Sequence, residues 1–320
     1  MTRHVIQRTE SNPEWGCPPG ERDLREHIRR GAVLLDKPSG PTSRGCAERV
    51  CRLLGAEKGG HGGTLDPKVT GVLPILLQRV TPLCDLFLGS DKVYEGSLRL
   101  HDDVEPARLQ EALEDFRGTI VQVPPVRSSV KREAREREVH EFEVTGREGR
   151  RVDFRVRCEG GTYIRKLAHD LGRRLGCGAH MTGLRRTASG SIGIDECVTL
   201  EELERAVRSA DKGDEGPLRE AILPAEDLLE GVVPRVWVDD GAVHSLCTGY
   251  PLAVPGVAAL EDFGPDERVA VVTGRGELIG LGRAEMGTGQ VLGAEHGVAV
   301  RMERVLMGRD VYPKWFTNSG

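Results

Sequence analysis

The sequence predicts an α/β (α+β) chain in two parts, an α/β domain followed by a smaller β-rich one, and three observations carry that expectation. Charged and apolar residues alternate from Arg151 to Cys158, which puts Val152, Phe154, Val156 and Cys158 on one face of a strand. That strand runs through Gly160 and Gly161 into a segment with Ile164, Leu167, Leu171 and Leu175 at helical spacing. After Val233 the pattern changes to short strands separated by turns. At 320 residues the chain is long enough for two cores.

Leu34 to Ser43, L-L-D-K-P-S-G-P-T-S, reads as a strand passing into a loop with two prolines. A helix follows with Cys46, Val50 and Leu54 in one row and Ala47 and Cys51 beside it; Ser43 is its expected N-cap and Gly55 its stop. Lys58 to Pro74, K-G-G-H-G-G-T-L-D-P-K-V-T-G-V-L-P, holds one carboxylate, Asp66, in a glycine-rich bend sealed by Pro67. Two readings stay open at this point: an acid presented at a rigid turn, or an Asp66 that caps its own backbone. His61 stands five residues earlier, and Val69 to Leu77 reads as buried scaffold. Lys92 to Leu100 is an expected strand with Tyr94, Leu98 and Leu100 on one face, which by itself makes Tyr94 a core residue. Arg165 falls in the first turn of the helix after Gly161, where the helix dipole disfavours a cation, so it wants a carboxylate such as Asp66 nearby.

Beyond Val233 the expected strands are Arg235 to Val238, Arg268 to Thr273, Glu277 to Arg283 and Gly297 to Arg304, with Gly274-Arg275-Gly276 as a hairpin connection and Asp239 to Leu246 as a short helix. G-R-G-E-L-I-G and G-T-G-Q-V-L-G each miss the dinucleotide-binding spacing by one residue and read as turns. The composition is 38 % hydrophobic and 30 % charged, with no apolar run near the roughly 20 residues of a membrane span. The start of the chain is too polar for a signal peptide, so the expected location is cytoplasmic. Eight cysteines without a C-x-x-C pair predict reduced thiols, no disulfide framework and no metal site. The net charge of -5 is segregated: 11 basic and 4 acidic residues from Arg147 to Arg186, against 4 basic and 12 acidic from Asp195 to Glu230. Phosphate binding is expected of the first stretch. The second opens with Thr199 and Glu202, a capping box for a helix to about Ala210.

Five motifs in fixed order carry a resemblance: K-P-S-G-P-T-S from Lys37, H-G-G-T-L-D-P-K-V-T-G from His61, K-V-Y-E-G from Lys92, G-T-Y-I-R from Gly161 and L-R-R-T-A-S-G from Leu184. With them the chain resembles the TruB and dyskerin family of pseudouridine synthases from Arg22 to Trp315. The amino-terminal extension, P-K-V-T-G and the R-D-V-Y-P-K-W tail point to the archaeal dyskerin-like branch. The resemblance implies a mixed-sheet catalytic domain over 31–232, a small β-barrel PUA domain over 233–310, an extension 1–30 that packs on the PUA domain, and a tail 311–320. It also implies isomerisation of uridine within RNA, with no cofactor. Asp66 would be the nucleophile, and Arg165 would favour and orient its ionised carboxylate. Tyr94 would stack on the flipped base, a contact worth roughly 1 to 3 kcal/mol.

By the same resemblance His61 lies near the extruded nucleotide, Tyr163 and Leu184 wall the pocket, and Lys37 supports the aspartate loop. Arg127, Lys131 and Arg132 fall in the substrate-clamping segment Pro124 to His140. There the chain departs from the family, because Glu133, Glu136 and Glu138 dilute the basic residues and weaken phosphate attraction. The implied partners are tRNA, rRNA and an H/ACA guide RNA, a Nop-family zinc-ribbon-like protein, a Gar-family protein and a kink-turn-binding ribosomal-protein homologue, with no membrane. The targets would be uridine 55 of the tRNA TΨC loop and guide-directed sites in rRNA. One rival reading is a non-catalytic RNA-binding scaffold. Another is a glycoside hydrolase, which needs a second carboxylate; Asp36 and Glu95 flank the motifs.

Overall fold

Hydrophobic patterning builds the sheet that carries the aspartate loop in the computed structural model, which describes residues 2–7, 11–123 and 133–314. Arg127, Lys131, Arg132 and Trp315 lie outside the described residues. The strands are β1 (Gly31–Lys37), a short β2 (Gly59–His61), β3 (Thr70–Leu77), β4 (Lys92–Leu100), β5 (Gly118–Gln122), β6 (Arg135–Glu148), β7 (Arg151–Cys158) and β8 (Ala179–Ser189). From β1 the spatial order is β1-β3-β8-β4-β7-β6-β5, with β2 paired to β3. β3 and β8 are parallel, matching Thr70 to Arg185 and Gly71 to Arg186. β8-β4, β4-β7, β7-β6 and β6-β5 are antiparallel, so the sheet is mixed. β3 is apolar on both faces and both are covered: Val72, Leu73, Ile75 and Leu76 are fully buried.

Helix α1 (Ser43–Leu54) buries Cys46, Ala47, Val50 and Leu54, and it ends at Gly55 in the left-handed conformation. Its N-cap is Thr42, whose hydroxyl accepts the Gly45 N–H at 3.0 Å, and not Ser43 as expected. Ser43 is the first helical residue, and its hydroxyl is used elsewhere. Helix α2 (Pro106–Glu114) precedes β5, and helix α3 (Ile164–Leu175) buries the Ile164, Leu167, Leu171 and Leu175 stripe. Helix α4 (Leu200–Ala210) starts at the Thr199–Glu202 capping box. Arg135 to His140, expected in a loop, belong to β6, because Gly118–Gln122 pairs with Arg135–Val139.

Contacts place the described residues of 33–76 and 83–221 in one compact unit and those of 1–32, 77–82 and 222–320 in another. In the latter the strand order is Arg3–Val5, Val257–Glu261, Arg235–Val238, Arg268–Thr273, Leu278–Ala284, Val298–Val305, Leu252–Ala253. Leu252 and Val254, from one end of that order, share a buried cluster with Val257 and Leu260 near the other end, so the sheet curls round one core as a small barrel does. Trp15 packs on this core and meets Tyr312 edge-on at 6.3 Å. Arg22 forms a buried ion pair with Glu226 at 2.7 Å, and Glu226 also accepts the Leu278 N–H. Among the described residues no helix is long and apolar enough to cross a membrane.

Candidate active site

Asp66 sits between two anchored neighbours. Before it, Leu65 is 4 % exposed, and the buried Ser43 hydroxyl accepts its N–H at 2.8 Å and donates to its carbonyl at 3.0 Å. After it, the Pro67 carbonyl accepts from Lys37 Nζ at 3.1 Å and from the Gly40 N–H at 2.8 Å. Lys37 is completely buried and also donates to the carbonyls of Pro38 and Val69. Burial lowers its pKa, with Cys46 and the Asp66 charge opposing the shift. The Val69 N–H closes the turn on the Asp66 carbonyl at 3.0 Å. Backbone on both sides is fixed, and the carboxylate between stays 53 % exposed.

Arg165 reaches this carboxylate from the first turn of α3, with Nη2 2.7 Å from Oδ2 of Asp66. No acidic residue of the helix's own first turn offsets the dipole there, so Asp66 supplies that charge. Tyr163 is the N-cap residue of α3, and its backbone is held by the Gln122 side chain.

Tyr94 is 8 % exposed and stands opposite Arg186 in the β4-β8 register. Burial raises its pKa; Arg186 opposes the shift by charge and by a hydrogen bond to the phenol, and the Asp66 charge adds to it. Tyr94 is therefore a protonated phenol at neutral pH. Arg186 is 1 % exposed and donates to the Val72 carbonyl at 2.8 Å and the Gly63 carbonyl at 3.1 Å. Lys92, also buried, donates to the carbonyls of Phe87 and Ser90; burial and then the Arg186 charge lower its pKa to about 8. His61 is half-buried, and burial lowers its pKa against the opposing pull of its own backbone, with the Arg186 charge adding to the shift, which leaves a neutral imidazole. Leu184 pairs with Gly96 across β8 and β4, one alternation from Arg186 on the same face.

Residues 51–164 match the TruB family pseudouridylate synthase N-terminal domain, and 165–230 match the tRNA pseudouridylate synthase B C-terminal domain. A Methanothermobacter thermautotrophicus protein named "Probable tRNA pseudouridine synthase B" is 44 % identical over 311 residues, covering 97 % of this chain and 96 % of its own. The chain belongs to the TruB pseudouridine synthase family. Its TruB core is followed by a PUA domain match at 234–306 and preceded by a DKCLD domain match at 2–45. A Thermococcus kodakarensis relative of the same name is 45 % identical, covering 98 % of this chain and 94 % of its own. Among solved structures, a chain of a Cbf5-Nop10-Gar1 complex matches with a TM-score of 0.89 at 42 % identity, covering 98 % of this chain and 96 % of that one. A chain of an H/ACA RNP bound to a substrate RNA containing 2'-deoxyuridine matches with 0.89 at 41 % identity over the same shares.

In this TruB chain Arg165 and Lys37 meet the Asp66 loop directly, Tyr94 faces Arg186, which holds the Gly63 carbonyl of that loop, and His61, Tyr163 and Leu184 lie on other elements of the same unit. Arg186 is a central residue that motif reading passed over. Its signal was its place two residues after Leu184, on the same face and opposite Tyr94. Ser43, taken for a cap, is a second anchor of the aspartate loop. The acids that a hydrolase would need are committed or turned away: Asp36 pairs with Arg185 at 2.7 Å, and Glu95 is exposed and alternates with Tyr94 along β4. Among the described residues no group of three or more His, Cys, Asp or Glu is placed to hold a metal ion.

Proposed function

We propose that this chain isomerises uridine to pseudouridine in RNA with Asp66 as nucleophile, Arg165 as the cation that keeps it ionised and aimed, and Tyr94 as the aromatic support of the flipped base. The N-glycosidic bond breaks, the freed uracil turns, and a bond from C5 to the same sugar carbon replaces it, with loss of the C5 proton and uptake of a proton at N1. That chemistry needs an ionised carboxylate at a fixed point and a base out of its stack. The observation that carries the reading is the 2.7 Å Asp66–Arg165 pair on a loop whose backbone is anchored on both sides. His61, Tyr163 and Leu184 border the nucleotide, Lys37 holds the loop, and Arg127, Lys131 and Arg132 meet RNA phosphates.

The substrates are uridine 55 of the tRNA TΨC loop and guide-directed uridines of ribosomal RNA. The relatives' names support a tRNA substrate, and the likeness to chains of H/ACA assemblies supports work within such an assembly. In the guided mode the partners are a guide RNA, Nop- and Gar-family proteins and a kink-turn-binding protein. Residues 31–232 then carry catalysis, 233–310 dock RNA, and the extension 1–30 packs on the docking domain. The chain acts in the cytoplasm, where its eight cysteines stay reduced.

Asp66→Asn tests the centre by pseudouridine mapping on tRNA and rRNA fragments, with and without guide RNA and partner proteins. The expected result is no pseudouridine at any mapped site, with thermal stability almost unchanged, since an exposed ion pair contributes about 0.2–1 kcal/mol. Unchanged pseudouridine yield would instead make the chain a scaffold, and release of free uracil would make it a hydrolase.

A further inference from the structure

Helix α3 starts without a side-chain cap of its own, since Tyr163 at the N-cap position makes no capping bond. A residue distant in sequence holds the N-cap residue itself. Gln122 Oε1 accepts the Tyr163 N–H at 2.9 Å, and Gln122 Nε2 donates to the Tyr163 carbonyl at 3.3 Å. One primary amide thus clasps both polar groups of one peptide residue, a match that needs a donor and an acceptor on the same side chain. Gln122 is the last residue of β5 and is 3 % exposed, so its amide is committed to protein and not to solvent.

The same hairpin grips the other end of the turn. The Glu159 N–H donates to the Glu138 carbonyl at 2.8 Å, and the Glu159 carboxylate accepts from Arg137 Nη1 at 3.1 Å and from the Glu138 N–H at 3.3 Å. The five residues Glu159 to Tyr163 are therefore mounted on β5 and β6, and Arg165 follows two residues later with its guanidinium on Asp66. Where α3 begins decides where that guanidinium lies.

We propose that Gln122 is a positioning residue for the isomerisation: its paired hydrogen bonds to Tyr163 set the start of α3 and so hold Arg165 against Asp66. The proposal rests on the reading of Asp66 and Arg165 as the reacting pair. Displacement of a catalytic group by about 1 Å costs on the order of 100-fold in rate. Gln122→Leu, which has neither donor nor acceptor, is expected to lower the single-turnover rate constant by about 10- to 100-fold. RNA affinity should stay within about threefold, because the residue is buried and does not reach RNA. Gln122→Glu keeps an acceptor for the Tyr163 N–H but loses the donor, and its rate should fall between the two; it also serves if the leucine variant does not fold.

The experiment measures tritium release from RNA labelled at uridine C5 under single-turnover conditions, together with amide exchange at Tyr163. It closes a double-mutant cycle with Arg165→Ala. The expected result is faster exchange at Tyr163 and a second substitution that adds little to the loss from Arg165→Ala alone. Wild-type turnover in Gln122→Leu, a loss confined to RNA affinity, or fully additive effects in the cycle would each overturn the proposal. Full activity of Asp66→Asn would overturn the reading beneath it, while exchange at Tyr163 would still report on the clasp.

Discussion

At the residue scale the site separates two kinds of charge. Asp66 and Arg165 are more than half exposed, at 53 % and 62 %, and their pair is free to open when a nucleotide enters. Arg186, Lys37 and Lys92 are cations buried in the layer below, and each spends its donors on backbone carbonyls. Arg186 joins three pieces that must keep station: the Gly63 carbonyl of the aspartate loop, the Val72 carbonyl of β3 and the Tyr94 hydroxyl of β4. Arg186→Leu removes those donors while leaving the acceptors buried, so stability should drop by about 2–4 kcal/mol, since each unsatisfied group costs about 1–3 kcal/mol. A urea midpoint within error of the parent protein would show that Arg186 is not the tie its geometry describes. Asp66→Asn, by contrast, should leave that midpoint in place.

At the element scale the parallel contact of β3 with β8 brings the aspartate loop to the pocket strands. It depends on Gly71, whose φ is +106° and whose missing Cβ would stand 2.1 Å from the Arg186 carbonyl oxygen. Gly71→Ala must move that backbone or unfold it, and a loss of about 3 kcal/mol or more is expected from left-handed strain and overpacking together. Thermal unfolding checks this, and a shift under about 2 °C would count against the close approach. Alternation makes β4 and β7 legible in the sequence, helical spacing makes α3 legible, and a cation in the first turn of that helix calls for a carboxylate such as Asp66. Other features were hidden for physical reasons. Thr42 and Ser43 both carry a hydroxyl suited to a cap, and only the packing of Leu65 decides which one caps. The start of β6, R-E-R-E-V-H, has charges on both faces, so it lacks the period of a half-buried strand. Arg186 and Gln122 look like surface residues, because the carbonyls they satisfy lie far away in the chain.

For the whole molecule, half-buried or buried thiols and two buried lysines act on stability with opposite sign. Burial pushes Cys84, Cys158 and Cys247 up to about 11 and Cys197 to about 12, from an ordinary 9.0. Above pH 9 the unfolded chain loses these protons first, so stability falls as pH rises toward 11. Lys92, lowered to about 8, works the other way between pH 8 and its ordinary 10.5, and burial lowers Lys37 in the same direction. Four thiols outnumber the two lysines, and the urea midpoint should decline from pH 9 to 11; a rise over that range would contradict the assignment. Charge along the sequence needs the same accounting in space. Of the 11 basic residues from Arg147 to Arg186, eight are ion-paired: Arg150, Arg151, Arg155, Arg157, Arg165, Lys166, Arg174 and Arg185. Asp103, Asp91, Glu141, Asp115 and Asp36 supply several of those partners from outside the stretch. What reads as a basic run is thus largely neutralised at its own surface. Each pair is weak enough, about 0.2–1 kcal/mol, to be traded for a phosphate, but the trade reduces the net gain per contact. RNA binding by the isolated chain should therefore depend on salt with a log–log slope shallower than about 4, where a surface making 6–10 phosphate contacts gives about 5–9. Filter binding from low to moderate salt measures that slope, and a value above about 6 would mean that these arginines abandon their carboxylates for RNA at little cost.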